Sequence, residues 1–161
     1  MAPVEFVSQQ MLDRISSEAK QSPRLRKNYN FHGSDGEPCH RLLNALEPDS
    51  YIQPHRHLDP HKDETLAVIR GRMGLVVFDR DGAVKEKALL EPNGDVLLVN
   101  IPHGTFHTLV ALKERSVFFE AKAGPFVPLS PEEKAPWAPP EGDASAVSYL
   151  ASLKALFQSH P

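Results

Sequence analysis

The chain alternates between two kinds of periodicity. Near the start, Val7, Met11, Leu12, Ile15 and Ala19 recur at helical spacing, Ser8 stands where a cap belongs and Pro23 stops the run, which predicts a short N-terminal helix. The next segment, "RLRKNYNFH", places Arg24, Arg26, Asn28, Asn30 and His32 on one parity and Leu25, Tyr29 and Phe31 on the other, as in an extended strand. From Cys39 to about Pro125 short apolar runs follow one another, each bounded by Gly, Pro, Asn or Asp: "CHRLLNAL", "YIQPHRH", "TLAVIRG", "MGLVVFD", "VKEKALL", "DVLLVNI", "FHTLVAL" and "SVFFEAKAG". Regular short strands of this kind predict an antiparallel sandwich or barrel, with the tightest hairpin chemistry at "DRDG" and "PNGD". Beyond Gly124, "GPFVPLSPEEKAPWAPPEG" is too rich in proline for strand or helix and predicts an extended strap anchored by Trp137. The final segment, "DASAVSYLASLKALFQS", returns to helical spacing at Ala146, Tyr149, Leu150, Leu153, Leu156 and Phe157.

The expected organisation is one domain: an N-terminal helix and extended arm over 1–37, a β-barrel over 38–126, and the strap with its amphipathic helix over 127–161. Composition modifies this picture little. Fifteen prolines among 161 residues exceed the usual share of about 5% and favour many short elements over long helices. The net charge of −3 and pI near 6.2 argue against nucleic acid, which is bound by neutralising phosphates. There is no apolar run of the roughly 18 residues a membrane helix needs, and the first residues lack the basic start and apolar run of a secretory signal. A cytoplasmic protein is expected. Cys39 has no partner for a disulfide and reads as a small buried hydrophobe. Exposed sheet edges of a small barrel favour pairing between subunits, so a homodimer is expected.

The candidate chemistry is concentrated in "PHRHLDPHKDETLAVIRG". His55 and His57 lie two apart in an extended segment, so both imidazoles project to one face. Glu64 opens the next strand and can turn back to that face, and His107 follows the Pro102 to Gly104 turn downstream. Asp63 and His61 are alternatives for the carboxylate position, because six residues separate His57 from Glu64. Three imidazoles and one carboxylate suit one divalent transition metal, Fe, Zn, Mn, Ni or Co, with room for further ligands. His103, His61 and His32 are candidate acids or bases beside it, His103 and His32 being favoured as catalytic residues. Arg24, Asn28 and Asn30 are candidates for substrate binding from the polar strand, where arginine offers a fork for phosphate or carboxylate. Tyr51 and Gln53 share the parity of the histidines and join that set. Glu120 and Lys122 share a face of the last strand, whose direction the sequence leaves open.

His55-X-His57, Glu64 and Gly71 resemble the first cupin motif, and Gly94, Pro102-X-Gly104 and His107 resemble the second. Within cupins, the stretches "SPRLRKNYNFH", "RLLNALEPDSYIQPHRH", "KDETLAVIRGRMG" and "GPFVP" resemble the WbuC-type metalloproteins associated with bacterial O-antigen gene clusters. The resemblance implies a mainly β, double-stranded β-helix (jelly-roll) barrel with a bound metal. It leaves the reaction open between an isomerase or epimerase and a dioxygenase acting on a small polar molecule, such as a sugar or sugar nucleotide in cell-surface polysaccharide metabolism. A non-catalytic, metal-containing carbohydrate-binding module is the alternative.

Overall fold

The structure, a computed structural model, describes residues 3–158. Its order is α1 (Gln9–Gln21), β1 (Arg26–Asn30), β2 (Cys39–Leu46), β3 (Glu64–Arg70), β4 (Met73–Phe78), β5 (Val84–Leu90), β6 (Leu98–Ile101), β7 (Phe106–Ala111), β8 (Ser116–Ala123) and α2 (Ala146–Ala155). The strands form two antiparallel sheets, one ordered β1-β2-β8-β3-β6 and one ordered β5-β4-β7. Packed face to face, they make the antiparallel barrel that the strand pattern predicts, of the cupin jelly-roll type that the resemblance implies.

Alternation along the strands decides which side chains enter the barrel. Leu46, Leu66, Val68 and Phe118 of the larger sheet meet Met73, Leu75, Leu109 and Ala111 of the smaller one in a single core. The opposite parity of the larger sheet, Leu43, Ala45 and Val117 with Tyr29, Phe31 and Phe119 beside them, is covered by Leu12, Ile15 and Ala19 of α1. That helix begins where Ser8 accepts a hydrogen bond from Met11 N–H, and it ends before Pro23. The outer face of the smaller sheet, Val76, Phe78, Phe106 and Val110, is covered by the strap and by Leu150 and Leu153 of α2. Trp137 fixes the strap there, its ring centroid 4.8 Å from Phe78 and 5.9 Å from Phe106.

Three expectations need correction. "YIQPHRH" forms no continuous strand, only bridges at His55 to His107 and Lys134, because Pro54 contributes no N–H to a ladder. "DVLLVNI" shortens to the four residues of β6, at the edge of its sheet. Cys39 is exposed, because it falls on the outward parity at the first position of β2. The C-terminal helix covers the centre of its predicted segment, and the last residue of that segment, Ser159, lies outside the described residues.

Between β3 and β4 the chain turns at Gly71, with φ +84°, a value that strains a residue bearing a Cβ. A Cβ there would lie 2.7 Å from Ser116 Cα, and Ser116 is fully buried, its hydroxyl donating to Lys113 O at 2.7 Å. Gly71→Ala is therefore expected to cost about 2–4 kcal/mol, strain and overpacking together, in urea unfolding monitored by circular dichroism. A change below about 0.5 kcal/mol, the size usual at an unconstrained surface position, would show that this turn imposes no such constraint.

Candidate metal centre

Two backbone hydrogen bonds hold the centre together. His55 N–H donates to His107 O at 3.0 Å, and His107 N–H donates to His55 O at 2.9 Å, so the proline-interrupted segment is pinned to β7. The chain is held further from both sides: Arg56 N–H donates to Glu133 O in the strap, and Gly104 N–H donates to His57 O at 2.6 Å. Gly104, with φ +77°, makes the turn that delivers His107 to the inward face of β7. Glu64 opens β3 in the opposite sheet, where the register pairs it with Lys122 on one side and Ile101 on the other.

These elements bring a nitrogen of His55, a nitrogen of His57 and an oxygen of Glu64 within 4.8 Å of one another. His57 Nε2 lies 3.0 Å from Glu64 Oε1, and His107 Nε2 lies 2.9 Å from Glu64 Oε2. The imidazoles are oriented from behind. His55 Nδ1 donates to Gln53 O at 3.0 Å and His107 Nδ1 donates to Thr105 O at 2.9 Å, which turns each Nε2 inward, that of His107 against Glu64 Oε2. A carbonyl on the far nitrogen of a histidine is the usual outer support of a metal ligand, and the mixed nitrogen and oxygen set is chemically suited to a divalent transition metal.

Glu64 is 4% exposed. Burial by itself raises a carboxyl, but hydrogen bonds from His107 and His57 and the charge of Lys122 hold Glu64 well below the ordinary carboxylate range. Lys122 Nζ bridges Glu64 Oε1 at 2.9 Å and Glu120 Oε1 at 2.6 Å. Burial lowers this ammonium, and the two carboxylates outweigh it and raise it. Asn44 Nδ2 donates to Glu120 Oε2 at 2.7 Å, extending the chain of polar contacts across three strands. Neither Glu120, Lys122 nor Asn44 can be assigned to the site from the sequence until the register of β2, β8 and β3 places them beside Glu64.

The donors open into a cavity of about 400 Å³ whose wall includes Arg24, Arg26, Asn28, Asn44, Glu120 and Lys122. Other predicted residues are placed elsewhere. Tyr51 lines a separate cavity of about 710 Å³ beside α2 and donates its hydroxyl to Pro139 O at 2.8 Å. Gln53 Nε2 donates to Ala135 O and Ala138 O, so both side chains hold the strap. The guanidinium of Arg24 is paired with Glu141, as is that of Arg26. Asn30 and His32 line a neighbouring chamber rather than the cavity of the donors. His103 is exposed and bound through its backbone N–H and ring to Asp63, which occupies that carboxylate, and His61 is exposed too. Of the three candidates for the carboxylate position, only Glu64 meets the imidazoles.

Burial, with the charge of His107 next, pushes the His55 imidazole down to about 3. The unfolded chain, with an ordinary histidine near 6.5, therefore binds this proton first. The stabilisation is complete above pH of about 6.5 and is lost as pH falls towards 3, at up to about 1.4 kcal/mol per pH unit. Urea unfolding of metal-free protein is expected to lose stability steadily from pH 6.5 to 4, and His55→Gln to lessen that slope. An unchanged slope in the variant would remove His55 as its source.

Comparison with curated proteins gives no match. Among solved structures, KdgF from Halomonas sp. aligns with a TM-score of 0.50 at 20% identity, covering 63% of this chain and 82% of that one. The BH2720 protein of Bacillus halodurans aligns at 0.51 and 23% identity, covering 78% and 86%. SPY1581, a protein of unknown function from Streptococcus pyogenes, aligns at 0.51 and 10% identity, covering 79% and 93%. At these identities the likeness is one of fold. A family model described as a domain of unknown function, DUF6016, matches residues 7–90, just over half of the chain, and the protein belongs to that family.

Proposed function

We propose that the protein is a mononuclear metal-binding cupin of the WbuC type, with His55, His57, Glu64 and His107 as ligands of one divalent transition metal per chain. The observation that carries this is the tethering of His55 and His107 through Nδ1 to backbone carbonyls, which turns their Nε2 atoms towards a buried carboxylate. A metal bound there would polarise a carbonyl or hydroxyl of a small molecule entering the cavity. The chain's own groups would do the rest. Asn28 and Lys122 stand on the cavity wall to orient polar groups, and the apolar Leu66, Leu109 and Phe118 exclude water around the donors.

The activity that fits this lining is that of a metalloenzyme, an isomerase, epimerase or oxygenase, acting on a sugar derivative in cell-surface polysaccharide metabolism. Arg24, Asn28 and Asn30 remain the proposed substrate contacts, with Tyr51 and Gln53 shaping the wall through the strap. His103 and His32 are the proposed proton carriers, each reaching a ligand that extends beyond the donors. A homodimer in the cytoplasm is part of the same proposal. No helix among the described residues is long and apolar enough to cross a membrane. A non-catalytic binding module is favoured by one specific feature: Lys122 already bridges two carboxylates, which gives the cavity a fixed polar wall.

Elemental analysis of protein purified without chelators is expected to give about one metal per chain, and His55→Ala and His107→Ala to fall below about one tenth of that, since each removes a donor. Full metal content in both variants would overturn the ligand assignment. Turnover screening with sugars and sugar nucleotides, oxygen consumption being followed in parallel, then separates enzyme from binding module.

A further inference from the structure

Beside the donor cavity lies a second chamber of about 280 Å³, and the two share Asn28, Glu120 and Lys122 as a common wall. Its far side is formed by His32 and His40, which are 7% and 4% exposed and stacked with ring centroids 4.0 Å apart and planes 14° from parallel. Both rings are buried polar groups, and they line this chamber and not the cavity of the donors.

Their hydrogen bonds define what they present. Arg41 O already accepts from Phe31 N–H at 2.9 Å. His32 Nδ1 lies 3.2 Å from both the N–H and the carbonyl oxygen of Arg41, so it is satisfied in either tautomer and Nε2 is the ring nitrogen left over. His40 Nε2 faces Asp35 O at 3.1 Å, a carbonyl that only accepts, so the proton of His40 is on Nε2 and its Nδ1 is left as an acceptor. Among the described residues neither His32 Nε2 nor His40 Nδ1 has a hydrogen-bond partner. The stacked pair thus leaves two ring nitrogens, His40 Nδ1 as an acceptor and His32 Nε2 as a donor or an acceptor according to its tautomer, and a hydroxyl group, which both donates and accepts, meets either.

The rest of the wall agrees. Asn28 and Asn30 each add an amide with both donor and acceptor ends. Glu120 is already met on both oxygens, Oε1 by Lys122 Nζ at 2.6 Å and Oε2 by Asn44 Nδ2 at 2.7 Å. An anion does not fit: the one lysine or arginine on this wall, Lys122, is already paired with two carboxylates. Phe126, 57% exposed, stands at the rim and offers an apolar surface to the C–H face of a ring.

We infer that the His32–His40 chamber is a second subsite that binds a neutral, polyhydroxylated unit, continuous with the part of the ligand at the donors. It deepens the function proposed above and rests on it for the first unit only. The ligand is then a molecule of two linked parts, and a single small sugar would fill only one of them.

The test uses the full chain loaded with Zn²⁺, with isotope-labelled imidazole nitrogens followed by NMR. D-sorbitol is the probe, and trimethylamine N-oxide, which carries no hydroxyl, is the control. The His32 and His40 signals are expected to move saturably with sorbitol and to stay still with the control. His40→Phe would abolish the response, and because that side chain is buried, the exposed Asn30→Ala serves as a second variant. It should raise the half-saturating sorbitol concentration about fivefold, the cost of one neutral hydrogen bond. Signals of His32 and His40 that ignore sorbitol, follow the control equally, or keep the same midpoint in Asn30→Ala would overturn the subsite. Signals of His55, His57 and His107 that do not move on adding Zn²⁺ would instead overturn the donor assignment, and the two failures are separable.

Discussion

A carboxylate buried as deeply as Glu64 must be met by opposite charge or by donors, and the neighbourhood of the barrel interior follows from meeting it. Two imidazole nitrogens and one ammonium stand within 3.0 Å of its oxygens. Each of these groups then carries a requirement of its own. The ammonium of Lys122, itself largely buried, needs a second anion and finds Glu120; Glu120 needs a donor and finds Asn44. Removing one partner from such a network leaves a buried charge uncompensated, whereas the complete set is tolerated.

The network follows the register of the sheet. His40, Lys122, Glu64 and Ile101 form one row across β2, β8, β3 and β6, and Asn30, Leu42, Glu120 and Leu66 form the next row across β1, β2, β8 and β3. Because successive side chains point to opposite faces, each inward row is separated from its neighbour by an outward one that packs under α1. A slip of one residue in β8 would send Glu120 and Lys122 under the helix and bring Phe119 and Ala121 inside. Buried charge therefore specifies register here as firmly as the apolar core does.

Periodicity and turn chemistry made the elements legible: Ser8 and Pro23 bound α1, the parity of Tyr29 and Phe31 put them under it, and Asp-Gly at 81–82 marked the hairpin between β4 and β5. His55, His57, Glu64 and His107 were legible as a group because two short motifs converge on one face. What stayed hidden depended on pairing between distant strands. Nothing local distinguishes Glu120 and Lys122 from a solvated alternation, and His40 reads as an ordinary strand residue until β8 lies beside β2. Tyr51 and Gln53 share the expected parity but belong to an interrupted segment, so their polar ends turn to the strap instead of the cavity. Cys39 departs from expectation for the opposite reason, a residue type usually buried standing on an outward position.

The strap completes the centre without entering it. Proline-rich chain has few N–H groups to offer, and those that remain are used where they hold the donor segment: Ala135 N–H donates to Pro54 O, while Glu133 O accepts from Arg56 N–H. The segment carrying His55 and His57 is thus bonded to β7 at one residue and to the strap at the residues on either side. It behaves as a strand in its effect on the histidines although it lacks a ladder of its own. That arrangement reconciles a proline between Gln53 and His55 with a rigid donor geometry, because the bonds proline cannot make along a sheet are replaced by bonds to two different elements. It also explains why Trp137, far from any donor in sequence, matters to them: by packing on Phe78 and Phe106 it anchors the strap residues that grip the donor segment.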